Sequence, residues 1–239
     1  MNLALFRLAL RRLLLRRRSL LLALAPLLAA LIAAIDAGEG TADAQSFADI
    51  MEALFLPTIL PFLALVIGAS ALGEERDDAT ILYLASTPLS RLAIVLPALA
   101  AAALTTIVVC LPGLLIVIAL APGDDASLST TAWALASVVG GACAYTGLFG
   151  ALSLLVKRPV VIGLIYVLFW EGSIGTFAPS ARWFSLGAYA RAVTAGGLPS
   201  ETDTNVPAIG AAAAFAVLAA VAGVTTWWCG RRLTRVELP

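Results

Sequence analysis

From Leu92 to Ala121 the chain reads LAIVLPALAAAALTTIVVCLPGLLIVIALA, thirty residues without a charged side chain. A bilayer core about 30 Å thick needs roughly 20 apolar residues in a helix to cross it. Lipid offers no partners to backbone amides, so such a run is a helix, which pairs them internally, and not an open strand. Outward from this run the same reading gives Ser19–Ile35, Ala53–Leu72, Thr131–Val156, Pro159–Glu171 and Pro207–Cys229. Six crossings are therefore expected. The whole chain agrees: of 239 residues, 61% are hydrophobic and 13% charged, with mean hydropathy +0.99. Soluble domains average about 45–50% apolar and 25% charged, and a globule of this size has too little interior for the excess. The expected fold is an all-α integral membrane protein, with residues 1–239 as one domain.

Fifteen basic residues balance fifteen acidic ones, so the chain lacks the basic excess of a nucleic-acid binder. The zero sum hides a strong asymmetry. Alternating sides from the N-terminus groups Arg7, Arg11, Arg12, Arg16, Arg17, Arg18, Arg76, Arg91, Lys157, Arg158, Arg231, Arg232 and Arg235 together, thirteen of the fifteen; Arg182 and Arg191 fall opposite. Basic residues mark the cytoplasmic side, so both termini are expected inside. Ten carboxylates lie outside and five inside, a net charge of +8 inside against −8 outside. The first run is not expected to be a cleaved signal, because six Arg precede it and no small-residue cleavage site fits before the acidic loop.

The rare residues exclude several chemistries. There is no His, the commonest acid–base group and metal ligand. Cys110, Cys143 and Cys229 each lie inside apolar runs, without C-x-x-C spacing, and read as membrane-buried thiols. Lys157 is the only Lys and follows Val156, so no G-x-x-x-x-G-K-[ST] phosphate loop exists. If ATP is used, another chain binds it. An intramembrane protease would need a Ser–His pair or two intramembrane Asp, and no G-x-S-x-G elbow appears. A secondary, ion-coupled transporter remains an alternative, but such carriers place ionisable groups mid-span and show inverted repeats. Only Glu171 offers such a group here, and no repeat is evident.

Two segments depart from plain spanning. In residues 1–18, Leu3, Phe6, Leu10 and Leu13 recur at helical spacing, with Arg7 and Arg11 four apart on one face. Such an amphipathic helix lies in the membrane interface, apolar side down among lipids; it serves as a positive-inside anchor, as a docking element, or as both. The second departure follows Pro159. The twelve steps to Glu171 span about 18 Å at roughly 1.5 Å each, short of the far interface, and a lipid-facing carboxylate there would cost at least roughly 2.5 kcal/mol. Either the helix tilts within protein, or it ends early and the chain re-enters the outer leaflet. An ordinary interfacial Trp170–Glu171 pair is the simpler alternative. The aromatic run Ile174–Leu198 suits short helices set in the outer interface. In the sixth run, Ala208 to Ala220 is rich in small residues, which permit close helix approach or are mere filler.

Between the second and third runs, residues 73–91 read GEERDDATILYLASTPLSR. Carboxylates followed by an apolar patch and Thr87-Pro88 read as a short helix with acids in its first turn and a defined stop. Ile81, Leu82 and Leu84 would face solvent there unless they dock on a surface. This loop, from Gly68-Ala69-Ser70-Ala71-Leu72-Gly73-Glu74-Glu75-Arg76 to Leu84-Ala85-Ser86-Thr87-Pro88-Leu89-Ser90-Arg91, resembles the first cytoplasmic loop of ABC-2 type transporter permeases. It departs from that family's opening, with Asp77-Asp78-Ala79-Thr80 where an acidic-x-Gly-Thr sequence is common. Trp170-Glu171-Gly172 is similar to a variant seen at the end of the fifth span.

The resemblance implies six membrane helices, an N-terminal interface helix, and outer re-entrant helices between spans five and six, within 172–206. It implies two paired permeases, each resting on a separate ABC ATPase subunit that binds ATP and Mg, with none of these cofactors in this chain. A homodimer through the first and fifth spans is expected. Glu74, Glu75 and Arg76 would make charge pairs to the ATPase; Ile81, Leu82 and Leu84 the apolar contact, with Pro88 and Arg91 closing the coupling loop. Lys157 and Arg158 would form a second contact, and the interface helix with Phe6, Arg7 and Arg11 would brace the docking surface. Trp170 and Glu171 are candidates for the outer gate. The implied function is an ATP-driven exporter of an amphipathic or lipid-like substrate in a prokaryotic inner membrane; a haem-exporter B-type permease shares the length and span count.

Overall fold

A computed structural model of the chain describes residues 3–14, 21–40, 43–77, 91–120, 128–174, 183–199, 202–204, 206 and 209–233. Among these residues the architecture is helical and contains no strand: α1 (Leu3–Leu14), α2 (Leu24–Glu39), α3 (Ala44–Asp49), α4 (Leu60–Asp77), α5 (Arg91–Leu120), α6 (Leu128–Leu155), α7 (Pro159–Ile165), α8 (Leu186–Ala195) and α9 (Ala211–Leu233). Two π-helical stretches, Ile50–Ile59 and Tyr166–Ile174, extend α3 into α4 and prolong α7.

Among the described residues four helices are long and apolar enough to cross a membrane: Ala44–Gly73, Leu92–Leu120, Leu128–Leu155 and Ala211–Arg232. The other two expected crossings are shorter, α2 with 16 residues and the apolar helix Pro159–Glu171. The second crossing starts nine residues before the expected Ala53, so Asp49 and Glu52 lie on helix and not in an outer loop. Its start is set by Asp43, which is extended and accepts the Ser46 amide at 2.7 Å and the Ser46 hydroxyl at 2.8 Å. Those two donors, the amide foremost, hold the Asp43 carboxyl below its ordinary value. Within the same helix Pro57 has no N–H to give. The chain widens to i→i+5 bonding around it, and the Leu60 amide reaches back to Phe55 O.

The acidic residues after Gly73 are also placed differently from expectation. The backbone of α4 runs on through Glu74, Glu75 and Arg76 to Asp77, so these residues close the spanning helix instead of opening a loop helix. Extending a formed helix adds a hydrogen bond per residue, whereas starting a new one has a costly nucleus. The sixth crossing is displaced by four residues, α9 beginning at Ala211 against the expected Pro207.

α6 is the centre of the bundle, packed against α4, α5, α8 and α9. Its buried face is largely Gly140, Gly141, Ala142, Ala144, Gly147, Gly150 and Ala151. Small residues let helix backbones close to short range where no hydrophobic force drives them together. At Gly68 of α4 a methyl group would stand 3.1 Å from the Thr146 backbone of α6. α2 shows the reverse distribution to a soluble helix: Pro26, Ala29, Ala30 and Ala33 are buried, while Leu24, Leu28, Leu31, Ile32 and Ile35 are exposed. Such an outer face belongs in hydrocarbon. Several hydroxyls within the crossings bond to carbonyls of their own helix, such as Thr105 to Ala101 O at 2.7 Å and Thr226 to Ala222 O at 2.7 Å, which satisfies them in an apolar setting.

The two ends of the bundle differ. Gly73 of α4 meets Ser153 of α6, and Gly230 of α9 meets Leu92 of α5, which gathers the segments bearing Arg76, Arg91, Lys157, Arg158, Arg231 and Arg232 at one end. Trp227 and Trp228 carry the last two there, Arg231 lying 4.0 Å over the Trp227 ring. The far end holds Asp36, Asp43, Ser46 and Leu120 around one shallow pocket, and the Gln45 side chain pairs with the Asp203 backbone at 3.0 and 3.2 Å.

α1 does not lay its apolar stripe on open lipid. Leu13 is buried, and Phe6, Ala9 and Leu10 join it against Ile67 and Ala71 of α4 and Ala101 and Ala102 of α5. Arg7, Leu8, Arg11 and Arg12 face outward. Accordingly Leu13→Asp is expected to detach α1, raising trypsin cleavage after Arg7 and Arg11 at least tenfold, whereas Leu8→Asp leaves it docked; equal cleavage in both variants would contradict the docking.

Candidate functional site

α8 is a half-helix lying beside α6 and running against it. Its C-terminal end is tied by Thr130 Oγ1 donating to Gly197 O at 2.6 Å, and its middle by Ser137 Oγ donating to Ala190 O at 2.6 Å. Its first turn reaches Tyr145, whose hydroxyl stands 3.3 Å from the position a Cβ on Gly187 would take. α8 thus extends from one end of α6 to just past its midpoint. A helix beginning there has its unpaired amides far from bulk water. They need acceptors inside the protein.

Glu171 supplies them. The carboxylate, 4% exposed, accepts the Leu186 amide at 3.1 Å on Oε1 and the Gly187 amide at 3.2 Å on Oε2. Ser185, extended at the N-cap, donates its hydroxyl to Oε2 at 2.5 Å and accepts the Ala188 amide at 3.0 Å. Tyr166 Oη donates to Oε1 at 3.0 Å. Every partner is a donor, and the carboxylate sits at the N-terminal end of α8, where its two oxygens take up amides that the helix leaves open. Gly187 is required by the close approach, because a Cβ there would fall 2.7 Å from Glu171 Oε2.

The π-helical stretch Tyr166–Ile174 makes this geometry. In an α-helix of about 3.6 residues per turn, side chains five apart point roughly 140° away from each other. With i→i+5 bonding they come nearly into line, and Tyr166 meets Glu171. The adjoining turn is held by Trp170 Nε1 donating to Phe184 O at 3.3 Å and Tyr189 Oη donating to Trp183 O at 2.8 Å. One turn past Gly187 on the same face is half-buried Arg191, whose Nε is buried without a partner among the described residues.

Of the residues singled out in the sequence, Trp170 and Glu171 therefore converge, as fasteners of α8 and not as an exposed interfacial pair. Tyr166, Tyr145, Ser185 and Gly187 were missed; Ser185 before an Ala-rich helix was a readable cap, but the i→i+5 contact had no readable signal. Lys157 and Arg158 are exposed at the α6–α7 corner, where Pro159 opens α7. Arg91 opens α5. Ile81, Leu82, Leu84 and Pro88 lie outside the described residues, as does part of 172–206, while Phe6, Arg7 and Arg11 belong to docked α1.

No curated protein matches the chain. The family profile of ABC-2 family transporter proteins matches residues 13–178, a stretch that includes the 73–91 loop and the Trp170–Glu171 pair and ends before α8. With well over half of its length matched and a bundle of apolar membrane helices to agree with it, the chain is an integral membrane protein that belongs to the ABC-2 family of transporter permeases.

Proposed function

We propose that this chain is the membrane-spanning subunit of an ATP-driven exporter, with six crossings, both termini in the cytoplasm of a prokaryotic cell, and α8 as an outer re-entrant gate. ATP and Mg are bound by a separate ABC ATPase, two copies of which serve two permeases, this chain paired with a second copy. The observation that carries the reading is the unlike ends of the bundle. At the basic end α1 grips α4 and α5, whose connection is the 73–91 loop. At the other end a half-helix plugs the outer part of the bundle and is fastened by Glu171.

Closure of the ATPase pair would push the 73–91 loop, with Glu74, Glu75 and Arg76 in charge pairs, Ile81, Leu82 and Leu84 in apolar contact, and Lys157 and Arg158 as a second foot. α1 ties that push to α5, and the helices rock between two states biased by nucleotide. Few charged groups occur within the crossings, so an amphipathic or lipid-like cargo fits better than a hydrated ion. Glu171, the relay that the sequence offers an ion-coupled carrier at the end of the fifth run, is committed to capping α8.

The test is association with a phosphate-loop ATPase, to be sought in the reading frame next to that of this chain. The wild type is expected to co-purify with it and stimulate its ATP hydrolysis. Glu75→Arg combined with Leu82→Asp is expected to lower both at least tenfold while the permease still accumulates in the membrane. Unchanged association and stimulation in that variant would remove the coupling assignment.

A further inference from the structure

Arg191 is the polar side chain of α8 that the fold leaves unanswered. Ser185 at the cap bonds to Glu171, Tyr189 to Trp183 O, and Thr194 to Ala190 O at 3.4 Å. Arg191 makes no hydrogen bond or ion pair among the described residues, and its Nε is enclosed. Glu171 does not neutralise it. That carboxylate is taken up by the head of α8, by Ser185 and Tyr166, and by its interaction with Tyr145, at whose hydroxyl the Arg191 charge is also felt.

The depth of Arg191 makes this consequential. α6 has 28 residues, about 42 Å of helix against a bilayer core about 30 Å thick. Centred, it passes the hydrocarbon by roughly 6 Å at each end. Arg191 follows Ala190, whose carbonyl is held by Ser137 and whose Cβ lies 3.8 Å from the position a Cβ on Gly141 would take. Ser137 is nine residues in from Leu128, about 14 Å along α6, so Arg191 stands roughly 8 Å below the nearer boundary. A cation at that depth is costly to hold without an anion. Half-buried, with Nε enclosed, the side chain is open at its Nη end. The two Nη groups form a planar fork that takes two oxygens of one phosphate or carboxylate. An anion reaching that depth needs an apolar body, because a free phosphate would lose its hydration there.

Resting on the exporter reading, and naming its substrate class, we propose that Arg191 receives the headgroup of the cargo, an anionic amphiphile whose phosphate or carboxylate docks on the Nη fork. The headgroup supplies the counter-charge that the protein withholds, and the apolar body stays at hydrocarbon depth. A cationic amphiphile would bring like charge to the same guanidinium, so Arg191 sets specificity by charge.

The test uses the full chain in phosphatidylcholine nanodiscs, without ATP or any ATPase, and dodecyl phosphate as the probe. Phenylglyoxal modifies accessible guanidinium groups, and mass spectrometry of the peptide holding Arg191 reads this one residue. Dodecyl phosphate is expected to slow modification of Arg191 at least fivefold, while inorganic phosphate or dodecyltrimethylammonium changes it less than twofold. No protection by dodecyl phosphate, or no reaction at Arg191 even without it, overturns the proposal. Equal protection by inorganic phosphate would mean a simple anion site and overturns the cargo assignment. Amide exchange along α8 is expected to slow about fivefold when dodecyl phosphate is added to the wild type, and less than twofold in Arg191→Gln. That variant is also expected to keep the wild-type unfolding midpoint, since the charge has no ion pair to lose. A large loss of stability would show a structural partner, and slowing that persists in the variant would place the amphiphile elsewhere; either result overturns the proposal. Protection in a chain that associates with no ATPase would leave the site standing and remove the exporter reading; ATPase stimulation without protection would do the opposite.

Discussion

Glu171→Gln is expected to destabilise the protein by about 3 kcal/mol, the upper range for loss of hydrogen bonds to a charged group, although the two side chains have nearly the same shape. Four donors converge on the carboxylate: two amides and the hydroxyls of Ser185 and Tyr166. A Gln side chain offers one carbonyl oxygen and one NH2 group, so its nitrogen must face donors that it cannot satisfy. The positive end of α8 also loses its counter-charge. Glu171→Asp keeps the charge but not the reach, and is expected to fall between the wild type and Gln. Unfolding in mild detergent reads the stability, and exchange of the Leu186 and Gly187 amides reads where it was lost. Wild-type stability in Glu171→Gln would show that the negative charge does not hold α8.

Gly68→Leu is expected to cost as much or more, of order 3 kcal/mol for an overpacked contact, and to lower accumulation in the membrane severely. The neighbour at Gly68 is the Thr146 backbone, 3.1 Å from the first added carbon, and a backbone inside a helix cannot swing aside as a side chain can. α4 and α6 would have to separate, and α6 is the helix on which the others rest. Gly223→Leu on α9 is the matched comparison, since nothing lies within 4 Å of its Cβ position and it faces outward. Purified yield and unfolding midpoint are expected to stay near wild type for Gly223→Leu and to collapse for Gly68→Leu. Similar losses in both would mean that glycine matters there for the backbone alone and not for the α4–α6 contact.

Different parts of the protein were legible to different degrees. The run Leu92–Ala121 announces its helix because hydrocarbon leaves an apolar chain of that length no other way to pair its amides. Its observed bounds, Leu92–Leu120, follow closely. The start of the Ala44–Gly73 helix was harder to read, since Asp43 and Ser46 act as a cap only when the turn between them is formed. α1 was legible as amphipathic, but not what its apolar side would meet: lipid and the small-residue flanks of α4 and α5 accept the same Phe6, Leu10 and Leu13. Glu171 stood out as a carboxylate at the end of an apolar run. The reason it can be there, an arrested helix whose amides and hydroxyls converge on it, lies fourteen to sixteen residues further along.

The sequence by itself determined that this chain is a helical membrane protein, which stretches are helical, which side collects the basic residues, and that it resembles the ABC-2 permeases. Those properties depend on solvent and on near neighbours along the chain: the bilayer selects helices by length and apolarity, and the basic segments sort by side. Only the tertiary structure decided that α1 docks on protein, that α6 is the hub, that α8 penetrates to the level of Tyr145, and that Tyr166, Glu171, Ser185 and Gly187 form one site. Each of these depends on which helices touch and on a local widening to i→i+5 bonding that rotates Glu171 into line with Tyr166. In a chain so rich in interchangeable apolar residues, that contact geometry is carried by where single glycines and single polar atoms come to lie against a neighbour.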